Sequence, residues 1–141
     1  MTKSIKFYTS RIAVAKTVSE VTAILASRGA QRVSAIFENG ETSGLPFVLD
    51  TEYGPREFVL PAKTDGVFAV IEKDPAVPKA QRTQDVAAKI AWRIAKDWLE
   101  VQFALVDAGM TNADEVLMPY MISDGKTMYE VFRSTQLEIT A

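Results

Sequence analysis

A helix that is apolar on two flanks constrains a fold more than any other single element, because both flanks must be covered. Residues Thr83 to Ala108 predict such a helix, about seven turns long, with Thr83 as its cap and Gly109 as its stop. At about 100° per residue, Ile90, Ile94, Trp98, Val101 and Leu105 fall on one flank, and Trp92, Leu99, Phe103 and Val106 on the other. Arg82, Lys89, Arg93, Lys96, Glu100 and Asp107 fill the stripe between them. The cover must come from a sheet together with the terminal segments, or from a second subunit.

The residues before this helix read as a small sheet with one helix inserted. Ile5 to Ala15 mixes β-branched, aromatic and basic residues without helical spacing and predicts a first strand. Thr17 followed by Glu20 is a capping-box pattern, and Val18, Val21, Ile24 and Leu25 share a face, so a helix is expected over 17–28, closed by Arg28 and Gly29. Val33, Ala35 and Phe37 then alternate with polar residues, and Asn39-Gly40 is a hairpin signal. A strand near 43–51, a turn at Tyr53-Gly54-Pro55 and a strand over 56–60 complete an antiparallel meander. Thr64 or Asp65 is placed to cap a short helix with Val67, Phe68, Val70 and Ile71 on one side, ending at Asp74-Pro75, although Gly66 and the β-formers would also suit a strand. Pro75 to Gln81 is a connector too short to separate one domain from another.

Downstream, Asn112 to Met118 predicts a short helix, Tyr120 to Ser123 extended chain, Asp124-Gly125 a turn, and Lys126 to Arg133 a last helical piece. Met110, Met118, Met121 and Met128 concentrate there, and the flexible thioether suits irregular gaps, so this tail is expected to pack on the long helix. The fold class is α+β over a single domain, 1–141: an antiparallel sheet of three or four strands packed on one long apolar helix plus short helices.

With 141 residues, 48% of them apolar, the chain can bury a true core. It has no histidine and no cysteine, which removes Ser-His dyads, thiolate nucleophiles and the usual metal-ligand sets together. No cofactor is expected. Asp50, Glu52 and Tyr53 could in form supply a carboxylate acid/base pair or an all-oxygen magnesium site, yet acids beside a Gly-Pro turn are ordinary surface residues, and a non-catalytic reading leads. Neither a dinucleotide-binding nor a phosphate-loop pattern occurs. The N-terminal residues lack the apolar run of a signal peptide, and no stretch approaches the roughly 18 apolar residues of a membrane span. A cytoplasmic protein with no membrane partner is expected.

The net charge of −2 conceals a segregation. Residues 1–16 hold Lys3, Lys6, Arg11 and Lys16 with no acid, whereas residues 97–141 hold two basic and eight acidic side chains. Such asymmetry fits an anionic partner or head-to-tail self-association, and it also fits plain solvated faces. The candidate nucleic-acid or anion-binding residues are Lys6, Arg11, Arg82, Lys89, Arg93 and Lys96, with Phe7 and Tyr8 as stacking platforms. Against them, Arg93 with Asp97 and Lys96 with Glu100 have the spacing of ordinary helix-surface pairs. Helix, three strands, helix is also the order of double-stranded-RNA-binding domains, but the basic cluster expected where the second helix starts is here Lys79, Arg82 and Lys89, spread over ten positions.

The segments AWRIAKDWLEVQFALVDAGM and DEVLMPYMISDGKTMYE, with KTVSEVTAILASRGAQRVSAIF and FVLPAKTDGVFAVI before them, resemble a widespread family of small phage and prophage proteins over nearly the whole chain. The resemblance transfers no catalytic or binding residue. It implies a setting, a bacterial cytoplasm during phage infection or prophage expression, with roles from DNA metabolism to blocking host defences. Two functions follow. The first is a non-catalytic module binding nucleic acid or a nucleotide through the basic stripe. The second is a protein-protein module, an inhibitor of a host defence protein or an oligomeric sponge for a signalling molecule, using the second apolar flank. A homo-oligomer is expected.

Overall fold

The computed structural model describes residues 3–38 and 41–140. Ile5, Phe7 and Tyr8 open the chain, and three apolar residues at that spacing cannot all face one side of a strand. They turn instead: the Tyr8 amide donates to the Ile5 carbonyl at 3.2 Å and Ser10 to Phe7 at 2.8 Å, with Phe7 at φ 64°. The strand expected over Ile5 to Ala15 is therefore replaced by a strap that lays all three side chains on the core.

Helix α1 spans Val14–Ser27, and its N-cap is Ala13. Thr17 lies one turn inside it and is fully buried, so the Thr17–Glu20 capping box does not form. The reason is periodic: Val14, Thr17, Val18, Val21 and Leu25 make one continuous face, and the helix starts where that face starts. Strands β1 (Arg32–Val33) and β2 (Ile36–Glu38) run along one edge of β3 (Glu41–Thr51), and β4 (Gly54–Leu60) pairs along the other, all antiparallel. The expected first strand of the meander is thus split, with a register shift between Ile36 and Phe37. The extra residue is Ser43 on β3, because Ile36 is opposite Gly44 and Phe37 opposite Thr42. Val33 and Ala35 pack on the core as the alternation requires, while Phe37 is 66% exposed. The Asn39-Gly40 hairpin signal lies outside the described residues.

Helix α2 (Thr64–Lys73) is capped by Lys63 without a side-chain bond, so neither Thr64 nor Asp65 serves as cap, and it ends at Asp74 as expected. Helix α3 (Gln84–Asp107) follows the sequence closely: the Thr83 hydroxyl accepts the Val86 amide at 3.2 Å, and Gly109 takes a positive φ that its missing Cβ permits. Its apolar flanks are unequal. Trp92, Leu99 and Phe103 join Val21, Leu25, Phe47 and Phe58 in the main core, whereas Trp98 is half-buried against Tyr120 and Val101 is exposed. Toward its N-terminal end a second cluster of Ile71, Val77, Val86 and Ile90 is sealed by α2 and by the N-terminal strap.

Helix α4 (Ala113–Leu117) has a complete capping box between Asn112 and Glu115. A single 3-10 turn, Met118–Tyr120, leads to the small hairpin of β5 (Ile122–Ser123) and β6 (Lys126–Thr127), which docks on β4 through a Phe58–Met121 bridge. Helix α5 (Met128–Thr140) outlasts the expected end at Arg133 and rests on the 3-10 turn and β6. The tail methionines divide, with Met121 on the core and Met110 and Met118 exposed. Among the described residues no helix is long and apolar enough to cross a membrane.

Candidate functional site

The basic stripe of α3 is drawn into the fold. Glu20 on α1 sits between two cations one turn apart, Lys96 at 2.8 Å and Arg93 at 3.3 Å, and Lys96 also meets Glu100 at 3.4 Å. Arg93 further donates to the Thr17 hydroxyl at 3.5 Å. The Arg93 and Lys96 side chains keep only 16% and 18% of their exposure. The charge-assisted bond between Glu20 and Lys96 favours the charged form of both: the ammonium holds the Glu20 carboxyl below its ordinary range, and Glu20 in turn raises the Lys96 ammonium. This network ties α1 to α3.

The other candidate cations are scattered. Lys89 pairs with Asp85 at 3.0 Å. Arg82 leaves the stripe and donates to the Val77 and Asp74 carbonyls, both at 3.0 Å, stapling the connector between α2 and α3. Lys6 reaches Asp97 at 2.7 Å and lies over the Phe7 ring, so Asp97 serves the N-terminal strap and not Arg93. Arg11 donates to its own neighbours, the Thr9 and Ser10 carbonyls. Phe7 and Tyr8 are part of the second core cluster. Asp50, Glu52 and Tyr53 stand at the exposed β3–β4 turn, and among the described residues no group of three acids is placed to hold a metal.

Beside the network, an open cleft of about 550 Å³ runs between α1 and α3, floored by Ile24 and Phe103 and edged by Glu20, Lys96, Glu100 and Arg28. Arg28 is held there by Asp107, with one bond at 2.7 Å, and stacks its guanidinium 4.8 Å from the Phe103 centroid. The same bond holds the Asp107 carboxyl below its ordinary range and raises the Arg28 guanidinium. Every charge around this cleft already has a partner.

Two surfaces remain apolar and open. On α5, Tyr129, Val131, Phe132, Leu137 and Ile139 are exposed, Phe132 at 58% and Ile139 at 70%. Met128, Phe132, Thr135 and Ile139 follow one another at spacings of 4, 3 and 4, which places them in a single stripe about 60° wide. The Glu130 carboxylate accepts from the Thr127 amide and hydroxyl, which caps the helix start and lowers the Glu130 titration. The second surface is a cleft of about 260 Å³ between the start of α1, β2 and α3, lined by Ala13, Val14, Ala15, Phe37 and Ala88, with the Asp85–Lys89 pair at one side. Phe37 stands exposed on its rim.

The chain matches no known protein family, no curated protein and no solved structure. The α5 surface is hidden from sequence reading because the residues predict a helix that stops at Arg133; its signal is the stripe that continues through Thr135 and Ile139. The β2 surface has no signal, since the alternation that groups Phe37 with Val33 and Ala35 does not say that the cover over this face stops short of Phe37.

Proposed function

We propose that this chain is a protein-protein interaction module, acting in the phage or prophage setting that its sequence resembles, and that α5 is the element it presents. One observation carries the reading: from Glu130 to Ile139 every residue of α5 is exposed, four of them large and apolar besides Tyr129 at its start. A helix of 13 residues is marginal in water without a packed face, and large apolar side chains gathered in the open on one element mark an interface. On the basic stripe itself, Lys89, Arg93 and Lys96 are each paired to carboxylates, which leaves less charge there to meet phosphates.

The test is a photocrosslinking residue at position 132 in the intact chain, expressed in bacteria, with the same probe at exposed Asp50 as control. A protein adduct from position 132 and none from position 50 is expected. Crosslinking to nucleic acid, or to nothing, would overturn the reading.

A further inference from the structure

We infer that the partner of α5 is a second copy of this chain, whose cleft between α1, β2 and α3 receives the apolar stripe; this rests on the interaction reading above. Three observations converge. First, the cleft and the helix match in chemistry. At about 260 Å³ the cleft falls below the roughly 300 to 1,000 Å³ of small-molecule pockets and suits an inserted side chain, and its lining is mainly apolar, Ala13, Val14, Ala15, Phe37 and Ala88, beside Thr42 and the Asp85–Lys89 pair. Phe132, mid-helix and exposed, is the residue placed to enter it.

Second, the charges are complementary across copies. The segment leading into the cleft carries Lys3, Arg11 and Lys16, exposed and without a carboxylate partner among the described residues, while Asp85 at the cleft wall is balanced by Lys89. α5 itself carries Glu130 and Glu138 against Arg133, and the acids Asp97, Glu100 and Asp107 further back are paired within the chain. A helix of net negative charge therefore meets a basic segment in a head-to-tail contact.

Third, position and area favour exchange between two chains. α5 rests beside β4 on the 3-10 turn and β6, and the cleft borders β2, on the opposite edge of β3. A 13-residue helix is about 20 Å long, and one docked face covers on the order of 400 Å² per partner, about 800 Å² in all, which is too little for a stable complex. Reciprocal exchange of both helices doubles this to about 1,600 Å², the size of an ordinary specific interface.

The experiment uses the full chain in sedimentation equilibrium, as wild type, Phe132→Asp and Phe37→Asp, alone and mixed. Both substitutions lie on exposed residues, and circular dichroism checks that each variant stays folded. A wild-type dimer is expected, with the dissociation constant raised at least about tenfold in either variant and again between about 0.05 and 0.5 M salt. Mixing the two variants leaves one of the two docks intact, so the mixed pair should associate more than either variant alone and far less than wild type. A Phe37→Asp chain that dimerises like wild type overturns the docking site, and a wild-type monomer at every concentration overturns the self-association. If the position-132 crosslink instead joins a different protein, the interaction reading stands and this inference falls.

Discussion

The helices over 84–107 and 128–140 are both amphipathic, and they lie at opposite extremes of burial. In α3 the apolar residues reach the core from nearly every direction: Val86, Ala87, Ile90, Trp92, Ala95, Leu99 and Phe103 are all buried. In α5 the same kind of spacing leaves Phe132 and Ile139 in the open. Two phenylalanines make the contrast direct, Phe103 at 3% exposure under the Arg28 guanidinium and Phe132 at 58%. Apolar periodicity states that a helix needs a covered face. Whether the cover belongs to the same chain is decided by what the rest of the chain brings near it, and for α5 that is a short hairpin and one 3-10 turn.

The strongest way to break this comparison is at Phe103. Phe103→Ala should lower unfolding free energy by about 3 to 5 kcal/mol, as deletion of a buried ring does, measured by denaturant titration. A loss under about 1 kcal/mol would remove α3 from the core. Next in size is Glu20→Gln, which leaves Arg93 and Lys96 facing each other with their shared carboxylate gone, so its melting temperature should fall at neutral pH. The folded Glu20 carboxyl titrates below its ordinary value of 4.5, so its contribution is complete above that value and fades as pH drops through the lowered one. The gap in melting temperature between wild type and Glu20→Gln should therefore be flat near neutrality and close only in acid. A gap that persists unchanged in strong acid would point to packing instead of charge.

Thr83→Ala tests a smaller term, the cap of α3, and should cost about 1 kcal/mol because the Val86 amide loses its acceptor. Thr64→Ala is its control, since that hydroxyl caps nothing, and equal losses at the two positions would contradict the observed caps. The smallest effect is at Phe132. At concentrations low enough to keep the chain monomeric, Phe132→Ala should change unfolding by no more than about 0.5 kcal/mol, and a loss approaching that of Phe103→Ala would mean that α5 packs on its own chain.

Much of the frame was legible from residues alone. Thr83 and Gly109 bracket α3 because a hydroxyl before a helix and a glycine after it act within one turn, where neighbours in sequence are neighbours in space. The short helix that starts after Asn112, the turn with Gly54, and the antiparallel meander are legible for the same reason. Thr17 and Glu20 show the limit. Their spacing is that of a cap, but an apolar face extending back to Val14 buries Thr17, and Glu20 is claimed by Arg93 and Lys96 on a helix more than 70 residues away. The basic stripe shows the same limit, because a helical wheel gives the direction of each cation and not the carboxylate it meets.

What the sequence by itself determined is therefore local: an α+β chain with one long two-flanked helix, its caps, its turns, and chemistry limited by the lack of histidine and cysteine. Tertiary structure alone decided which α3 flank is core, that Ile5, Phe7 and Tyr8 form a strap and not a strand, that Arg93 and Lys96 of α3 bind α1, and that Phe37 is left exposed while α5 runs free of the core. The physical reason is range. Caps and turns are settled by hydrogen bonds within a few residues, whereas burial and ion pairing depend on segments that meet only after the chain has folded.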